Sequence, residues 1–465
     1  MKRILFTGIY LILAGGFIEA QNVFDPNDPI VRINLSRPLG SPEHPDESIP
    51  GLQKWVSTPN NAVSTGYYTF DASSYKQYFI NLNGAKVPFR LKFPKSYNNP
   101  DSASKRYPVN VFLHGGIEVG CPTNGGIYNN EKHLWIGAEQ FRDWADQGKF
   151  DGYILFPQYI ISSKGCFAAW ATAPSGNLAA IIAMIDSMAK YARADIDRVV
   201  VDGLSGGGYG AWRMADAYPQ RVAKILPSAA AGSVNNRARF IHIPIWFATG
   251  GKDPDPSPAQ AQYTLTKLRE SGADVKYTMF PDRGHSVWFQ HWAEPGFVEE
   301  WSTAHKANPL VFFQRSEFCK EEDVDAKLGL TPGFYAYEWQ RDGVTIAMST
   351  NAVNEVLNDE AVRSFTGNEI TIGRYGTYRA RFKRKASSDW SDWSIKPAVI
   401  TTMSTTQTQP IQIDGMHSRV LPALDGSTTV PLTLASGFTN YQWYRVDEET
   451  LVATSQVYNA TPGVY

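Results

Sequence analysis

The chain has 465 residues, more than one ordinary domain contains, so its length predicts two or three domains. Hydrophobic residues make up 43% of the chain and charged residues 19%, proportions typical of a globular protein. The formal net charge is −1 and both signs are mixed along the chain, which argues against nucleic acid or an anionic membrane as a partner.

The first twenty residues have the pattern of an export signal. Lys2 and Arg3 supply positive charge, residues 4–18 form a short apolar stretch, and Ala20 precedes a plausible cleavage point. The apolar stretch is too short to favour a membrane span. We therefore expect residues 1–20 to be a signal peptide and the protein to be secreted or held at the cell surface.

An irregular arm, rich in Pro, Asn, Asp and Ser, is predicted for residues 21–71, before an α/β domain at 72–306. Strand patterns occupy residues 78–82, 87–93, 109–113, 152–157, 199–202, 222–227, 244–248 and 275–280. Helical patterns occupy residues 135–146, 178–192, 258–271 and 286–305. Apolar strands that alternate with helices predict a mostly parallel, doubly wound sheet with helices on both faces.

The last part of the chain has a different character, with short strands and widely spaced tryptophans. The segment Tyr-Glu-Trp-Gln-Arg at 337–341 is repeated as Tyr-Gln-Trp-Tyr-Arg at 441–445, and each copy is followed later by Gly-x-Tyr. This part resembles the all-β immunoglobulin-like sandwich modules that trail many exported bacterial enzymes. We predict such modules at 309–401 and 406–465. The second ends before a final strand could form, so we expect a further C-terminal segment in the natural protein.

A candidate nucleophile lies in the segment Gly-Leu-Ser-Gly-Gly at 203–207, which fits the pattern G-x-S-x-G. An apolar strand precedes it and an amphipathic helix follows it. A serine on such a tight turn has strained backbone angles, and glycines on either side let the turn approach neighbouring strands. The pattern predicts that Ser205 is a nucleophile, against the alternative of a glycine-rich turn with a passive serine.

A serine hydroxyl needs a base to accept its proton, and histidine is the usual base. His285 lies in a loop after a predicted strand and before a predicted helix, which is where the base of such a site is expected. His242 falls in a strand and His291 in a helix, so both are weaker candidates.

The base in turn needs an acid to orient it. Asp253 and Asp255 both follow the predicted strand at 244–248, and either could serve. Asp253 is preferred because it is closer to the end of the strand. Asp282 is a weaker rival, because its closeness in sequence to His285 need not produce the required ring contact.

Two backbone N–H groups are expected to bind the oxyanion that forms during attack. One belongs to Gly206, the residue after the nucleophile, and the other to Gly116 or Gly115 in the segment Phe-Leu-His-Gly-Gly at 112–116. Each such donor is typically worth ~3 kcal/mol of transition-state stabilisation. His114 is expected to hold this loop in place.

Residues 78–305 resemble the α/β-hydrolase superfamily, above all in the segment 197–210 with its Asp-Arg start, apolar strand and Gly-Leu-Ser-Gly-Gly-Gly turn. They are similar to the exported branch that includes feruloyl and acetyl-xylan esterases and polyhydroxybutyrate depolymerases, and to prolyl-oligopeptidase-like catalytic domains. The resemblance implies the chain order Ser, acid, His and a reaction that needs no cofactor and no metal.

The sequence therefore predicts a secreted serine hydrolase that cleaves carbohydrate-linked or polymeric carboxylic esters through an acyl-enzyme. A prolyl-oligopeptidase-like serine peptidase is the second hypothesis, weakened because no β-propeller fits before residue 72. A non-catalytic adhesion or binding scaffold is the third. The C-terminal modules could associate with a cell surface or an extracellular polymer.

Four further residues are candidates for the pocket or for a disulfide. The rings of Trp170 and Trp288 could line the substrate pocket, although core packing would explain them equally well. Cys121 and Cys166 are the preferred disulfide pair, because both lie in loops expected at the active-site face. Three free thiols, with Cys319 included, are the alternative. The cysteine spacing does not fit a zinc or haem site.

Overall fold

A computed structural model describes residues 52–54, 62–64, 69–82, 85–121, 131–161, 167, 170, 177–351, 353–358, 360–403, 412–413, 429–434, 436, 438–445 and 450–461. The predicted signal peptide, most of the predicted arm, Cys166 and much of the second C-terminal module lie outside these residues. No helix in the described part of the chain combines the length and hydrophobicity needed to cross a membrane.

The first part of the chain contains the largest sheet, together with a small hairpin of β2 and β3. In chain order, its strands are β1 (Leu52–Lys54), β2 (Ala62–Ser64), β3 (Thr69–Asp71), β4 (Tyr75–Leu82), β5 (Ala85–Lys92), β6 (Tyr107–Leu113), β7 (Tyr153–Pro157), β8 (Ala194–Leu204), β9 (Lys224–Ser228), β10 (Ile245–Gly250) and β11 (Val275–Phe280). The helices are α1 (Ala138–Asp146), α2 (Asn177–Tyr191), α3 (Gly206–Ala217), α4 (Pro258–Glu270), α5 (Trp288–Trp292) and α6 (Glu299–Thr303). Short 3₁₀ helices occur at Pro100–Ser102, Lys132–Leu134, Arg237–Arg239 and Phe312–Gln314.

The order of strands across the large sheet is β1-β4-β5-β7-β6-β8-β9-β10-β11. The pairs from β1 to β7 are antiparallel, and every pair from β7 to β11 is parallel. β8 lies near the middle, with β6 on one side and β9 and β10 on the other. The sheet is thus mostly parallel, as the sequence predicts.

Helices cover both faces of this sheet. Successive residues of a strand point to opposite faces, so one strand can contribute to the core on each side. Val109 and Val111 of β6 pack in one core with α2, α3 and α4, whereas Phe112 packs in a second core with α1, α5 and α6. Both faces of the strand are therefore apolar, which is the property that a parallel sheet buried on both sides requires.

One predicted helix, residues 286–305, is wrong. The structure has two short helices there, α5 and α6, which are separated by Pro295 and Gly296. Proline lacks the N–H that a helix interior requires, and Gly296 has a φ of +86°, a left-handed conformation that ends helices. Apolar residues recur at helical spacing on both sides of this break, so their spacing alone does not reveal it.

The next part of the chain forms a β-sandwich. Its strands are β12 (Leu310–Val311), β13 (Glu317–Phe318), β14 (Ala326–Gly329), β15 (Ala336–Arg341), β16 (Val344–Thr350), β17 (Val353–Val356), β18 (Val362–Phe365), β19 (Glu369–Ile372), β20 (Gly376–Lys383) and β21 (Ala398–Thr402). They form two sheets, β12-β14-β19-β18 and β13-β21-β20-β15-β16-β17, which share one apolar core.

Two residues that carried the immunoglobulin-like prediction have defined places in this sandwich. Trp339 is fully buried and its Nε1 donates to the Gly367 carbonyl at 2.9 Å. The Tyr378 hydroxyl donates to the Arg374 carbonyl, four residues upstream, at 2.6 Å. The sandwich architecture agrees with the sequence, and the more specific immunoglobulin-like assignment stays a prediction.

The described residues of the second C-terminal module form two small sheets. Their strands are β22 (Gln412–Ile413), β23 (Val430–Thr433), β24 (Trp443–Arg445), β25 (Thr450–Ala453) and β26 (Val457–Ala460). β22, β23 and β26 form one sheet and β24 and β25 the other. Trp443 is buried in their small core, and its Nε1 donates to the Ser455 carbonyl.

The sandwich packs directly on the domain with the large sheet. An ion pair joins Arg384 of the sandwich to Asp197 of that domain, and a hydrogen bond joins Glu369 to His242 at 2.9 Å. Buried Lys306, at the junction, also donates to the Thr331 hydroxyl. These contacts hold the sandwich against the domain.

Candidate active site

The candidate nucleophile occupies a strained turn. Ser205 lies between the end of β8 and the first residue of α3, with a φ of 52° and a ψ of −118°. Its N–H donates to the Ser228 carbonyl at the end of β9, at 2.9 Å. A non-glycine residue with positive φ persists only when its surroundings hold it, and such strain concentrates at functional sites.

Two glycines allow this turn to form. A Cβ on Gly207 would lie 1.8 Å from the Leu113 carbonyl oxygen, and one on Gly203 would lie 2.5 Å from the Gly207 oxygen. No side chain fits at either distance. The glycines predicted from the motif are therefore required by the close approach of backbone to backbone.

The three predicted side chains meet in one line of hydrogen bonds. The Nε2 atom of His285 lies 2.8 Å from the Ser205 Oγ, and its Nδ1 atom lies 2.9 Å from the Asp253 Oδ2. A carboxylate only accepts, so Nδ1–H donates to Asp253 and Nε2 is left to accept the serine proton. The Asp253 side chain is 1% exposed and that of His285 is 39% exposed.

The acid and the base meet because their loops pack backbone against backbone. A Cβ on Gly250 would lie 2.0 Å from the Gly284 oxygen, and one on Gly251 would lie 2.6 Å from the Pro281 Cα. The Lys252 N–H also donates to the Arg283 carbonyl at 2.8 Å. These contacts bring the loop after β10 onto the loop after β11, and they place Asp253 beside the imidazole.

The other aspartates considered from the sequence have different partners. The Asp255 N–H donates to the Asp253 Oδ1 at 3.0 Å, so Asp255 supports the acid through its backbone. The Asp282 side chain is 88% exposed and lies 3.6 Å from Lys252. Of the three candidates, the structure brings Asp253 to the base.

Tyr209 belongs to this site but was missed by the sequence reasoning. Its hydroxyl donates to the Asp255 Oδ1 at 3.2 Å, and its N–H donates to the Ser205 carbonyl one helical turn earlier. Burial raises the pKa of the Tyr209 phenol, the Asp255 carboxylate raises it further, and a hydrogen bond from the Ala231 backbone lowers it. The signal in the sequence was its position four residues after Ser205, which places the two residues one turn apart at the start of a predicted helix.

The loop after β6 carries the second predicted oxyanion donor. His114 Nδ1 lies 2.8 Å from the Gly115 carbonyl oxygen, and His114 Nε2 accepts from the Tyr159 N–H at 2.9 Å. Burial lowers the pKa of His114 to about 3, so the ring stays neutral and Nδ1–H donates. Because the N–H and C=O of a trans peptide point in opposite directions, His114 fixes the direction of the Gly116 N–H.

The first predicted donor, Gly206, is the first residue of α3. The N–H groups of the first helical turn have no acceptor within the helix, so they are available to bind an anion.

The two tryptophans predicted for the pocket differ in position. Trp170 is fully buried, its Nε1 donates to the His114 carbonyl, and its ring packs against Tyr159. It therefore offers no surface to a ligand, and its predicted place in the pocket is corrected to the core. Trp288 is 9% exposed with its ring centroid 6.2 Å from that of His285, and its substrate contact stays a prediction.

Two apolar side chains beside Gly116 were also missed. Ile117 is 69% exposed and Phe167 is 62% exposed. A Cβ on Gly116 would lie 2.4 Å from a ring carbon of Phe167, so this ring rests directly on the glycine. We call these two residues the apolar rim. Exposed apolar groups of this size at a site can contact a ligand.

The nucleophile follows β8, the acid follows β10 and the base follows β11, all at the carboxyl edge of one mostly parallel sheet. This chain order, with the serine on a strained strand-to-helix turn, is that of the α/β-hydrolases. The large sheet and its helices form an α/β-hydrolase fold.

Comparisons with solved structures find similar proteins over about half of this chain. A thermostable esterase aligns at 24% identity and a TM-score of 0.40, over 50% of this chain and 63% of its own. A ferulic acid esterase aligns at 16% identity and a TM-score of 0.35, over 47% of this chain and 93% of its own.

An acylaminoacyl peptidase of Pyrococcus horikoshii aligns at 13% identity and a TM-score of 0.37, over 55% of this chain and 48% of its own. The alignments thus span less than two thirds of the thermostable esterase and of the peptidase. No protein-family model and no curated protein matches the chain.

The sequence also makes predictions about the three cysteines and about metal ions. Cys121 is disulfide-bonded and Cys319 is free and exposed, whereas Cys166 lies outside the described residues. The pairing of Cys121 with Cys166 stays a prediction. Among the residues that the structure describes, no group of His, Cys, Asp and Glu side chains could hold a metal ion.

Proposed function

We propose that this protein is a secreted serine hydrolase that cleaves carboxylic esters through an acyl-enzyme on Ser205. The observation that carries the proposal is the line of hydrogen bonds from the Ser205 Oγ through His285 to the buried Asp253 carboxylate. A hydroxyl paired with an oriented imidazole becomes a nucleophile in neutral water.

In the first step, the Ser205 Oγ attacks the ester carbonyl carbon while His285 Nε2 accepts the hydroxyl proton. The imidazolium that forms is stabilised by Asp253, which accepts from Nδ1–H. The carbonyl oxygen becomes an oxyanion that accepts from the N–H groups of Gly206 and Gly116. The C–O bond then breaks, and the alcohol leaves with the proton from Nε2.

In the second step, water attacks the acyl group on Ser205. His285 Nε2 accepts a proton from the water, the same two N–H groups bind the second oxyanion, and the bond from the acyl carbon to Oγ breaks. Ser205 regains its proton from Nε2 and the carboxylic acid is released. All proton transfers use side chains of the chain itself.

The proposed substrates are carbohydrate-linked or polymeric esters. The His285 side chain is 39% exposed, so a bulky substrate can reach it from solvent. The apolar rim next to Gly116 offers a surface for the carbon chain or ring of an acyl group. The predicted export signal agrees with an extracellular substrate of this kind.

The test is a Ser205→Ala variant, assayed with p-nitrophenyl acetate and a fluorophosphonate probe. We expect kcat to fall by at least about 10⁴-fold and labelling to be lost, because the nucleophile is gone. Ser73→Ala, on a surface turn of the same domain, should behave like the wild type. Failure of the folded wild-type protein to react with the probe would instead favour a non-catalytic scaffold.

The same three side chains could cleave a peptide bond. Assays with both kinds of substrate are therefore needed to decide which bond the protein cleaves. We propose comparing kcat/KM for acetylated xylan, a feruloylated sugar and proline-containing peptides under one set of conditions. The ester substrates should be preferred. Preference for the peptides would replace the esterase proposal with the serine peptidase. N-terminal sequencing of protein from the culture medium tests secretion, with cleavage expected after residue 20.

A further inference from the structure

A cavity lies in the α/β domain, apart from the three catalytic side chains. It has a volume of about 480 Å³ and lies between the loop that follows β9 and the first turns of α4. The polar and aromatic side chains in its wall are those of Ser233, Asn235, Gln260, Tyr263 and Thr264. None of these residues has a part in the chemistry described above.

The cavity belongs to the same edge of the sheet as Ser205. The loop after β9 and the loop that leads into α4 both leave the carboxyl ends of their strands, which is where open α/β sheets bind ligands. A Cβ on Gly208, three residues after Ser205, would lie 2.7 Å from the Cβ of Ala230, the residue before Ala231 of the cavity wall. The cavity wall therefore adjoins the first turn of the helix that follows Ser205.

The cavity and the apolar rim lie on opposite sides of the nucleophile. β6, which precedes Gly116 and the rim, flanks β8 on one side, and β9 and β10 follow on the other. An ester held at Ser205 can therefore direct one of its halves toward the rim and the other toward the cavity.

The chemistry of the cavity wall distinguishes it from the rim. None of the described residues in this wall is charged, and they present hydroxyl and amide groups around a Tyr263 side chain that is 57% exposed. The Gln260 Oε1 accepts from the Ser257 N–H at 2.6 Å, which fixes the amide at the wall. An ionic ligand would find no counter-charge among these residues.

We propose that this cavity is a subsite for a neutral saccharide, the half of the substrate that carries the ester. Amide and hydroxyl groups pair with sugar hydroxyls, and the exposed face of Tyr263 packs on the apolar face of a sugar ring. The inference rests on the proposed esterase function and adds to it the chemistry of the bound alcohol. We call the cavity the Tyr263 subsite.

The test compares two ester substrates in Tyr263→Ala. For acetylated xylo-oligosaccharides we expect kcat/KM to fall about three- to tenfold through KM, because a ring contact is lost. For p-nitrophenyl acetate, which is too small to reach the subsite, it should stay within about twofold of the wild type. Tyr263→Phe keeps the ring and should restore the saccharide activity.

Tyr444→Ala is the matched control, because Tyr444 is 46% exposed on the second C-terminal module. This variant should have the wild-type kcat/KM for both substrates. Equal kcat/KM values of Tyr263→Ala and the wild type on the saccharide ester would overturn the subsite, as would an equal loss on both substrates.

A binding measurement distinguishes failure of the subsite proposal from failure of the esterase proposal. Xylohexaose, which has no ester, is titrated calorimetrically into the wild type and into Tyr263→Ala. Binding that weakens in the variant supports the subsite even if neither ester is cleaved. The subsite alone is overturned if the wild type cleaves the small ester but does not bind xylohexaose, and if Tyr263→Ala has the wild-type kcat/KM on the saccharide ester. The esterase proposal then stands.

Discussion

At the scale of single residues, Asp253 and Asp255 have different tasks although they are two positions apart. Asp253 accepts from His285 through its carboxylate, whereas Asp255 contributes its backbone N–H and contacts Tyr209. We predict that Asp253→Asn lowers kcat by about 10⁴-fold, because an amide N–H facing Nδ1 favours the wrong imidazole tautomer. Asp255→Asn is the matched control and should lose less than about tenfold. Equal losses in p-nitrophenyl acetate assays would contradict this assignment.

Tyr209 is predicted to position the acid loop against the nucleophile helix. Its exposed hydrogen bond to Asp255 is worth about 1 kcal/mol, so Tyr209→Phe should lower kcat about two- to tenfold with KM for p-nitrophenyl acetate unchanged. Tyr218→Phe, at the other end of α3, serves as the control.

A double-mutant cycle checks the pair directly. If the hydroxyl acts through Asp255, combining Tyr209→Phe with Asp255→Ala should cost no more than the larger single loss. Fully additive losses would mean that Tyr209 acts in another way.

The meeting of Ser205 and His285 was predictable because each residue is marked by its own local sequence. Ser205 is flanked by the glycines that its turn requires, and His285 is a loop histidine in the expected chain order. The part played by Tyr209 was not predictable, because it depends on where the Asp255 loop comes to rest. Trp170 was misplaced because sequence does not reveal which side of a loop faces the core.

At the scale of elements, glycines set how closely strands, helix and loops approach. We predict that Gly207→Ala destabilises the fold by about 3 kcal/mol or more, because its Cβ would lie 1.8 Å from the Leu113 oxygen of β6. Gly284→Ala is the control, since its nearest contact would be the Lys252 oxygen at 4.0 Å. Urea unfolding measures both, and a Gly207→Ala protein as stable as the control would refute this packing argument.

The strands of the large sheet were predicted well because short, continuous apolar runs are typical of strands that are buried on both faces of a parallel sheet. The error at residues 286–305 arose because apolar residues recur at helical spacing on both sides of Pro295, and spacing alone does not register a break. The order of strands across the sheet, which decides that Gly116 and Asp253 flank Ser205 on opposite sides, is a long-range property that local patterns do not contain.

At the scale of the whole molecule, the β-sandwich is packed against the α/β domain through buried polar contacts. Lys306 is buried and donates to the carbonyls of Pro219 and Val222 and to the Thr331 hydroxyl. We predict that Lys306→Met lowers the free energy of unfolding by about 3 kcal/mol, because these buried acceptors lose their donor. Exposed Lys385→Met should change it by less than about 0.5 kcal/mol. Equal urea midpoints for the two variants would contradict a structural role for this junction.

The contact between Glu369 and His242 should make this junction sensitive to acid. The hydrogen bond from His242 and the nearby Lys327 lower the pKa of Glu369 from 4.5 to about 2. A carboxyl whose pKa is depressed by folding stabilises the protein above its unfolded pKa, and this contribution is lost as pH falls from about 4.5 through about 2. Glu369→Gln should therefore be less stable than the wild type at pH 7, with a gap that narrows between pH 4.5 and pH 3.

The comparison with Glu369→Gln isolates this group from other acid-sensitive sites. Burial lowers the pKa of His291 to about 3 and that of His305 to about 4, so both also cost stability as pH falls below their ordinary value of 6.5. Wild type and variant share these histidines, so their cost cancels in the difference between the two urea midpoints. Glu360→Gln, at an 86% exposed side chain, should show no such gap. A Glu369→Gln gap that stays constant from pH 7 to pH 3 would mean that its carboxylate does not stabilise the docked sandwich.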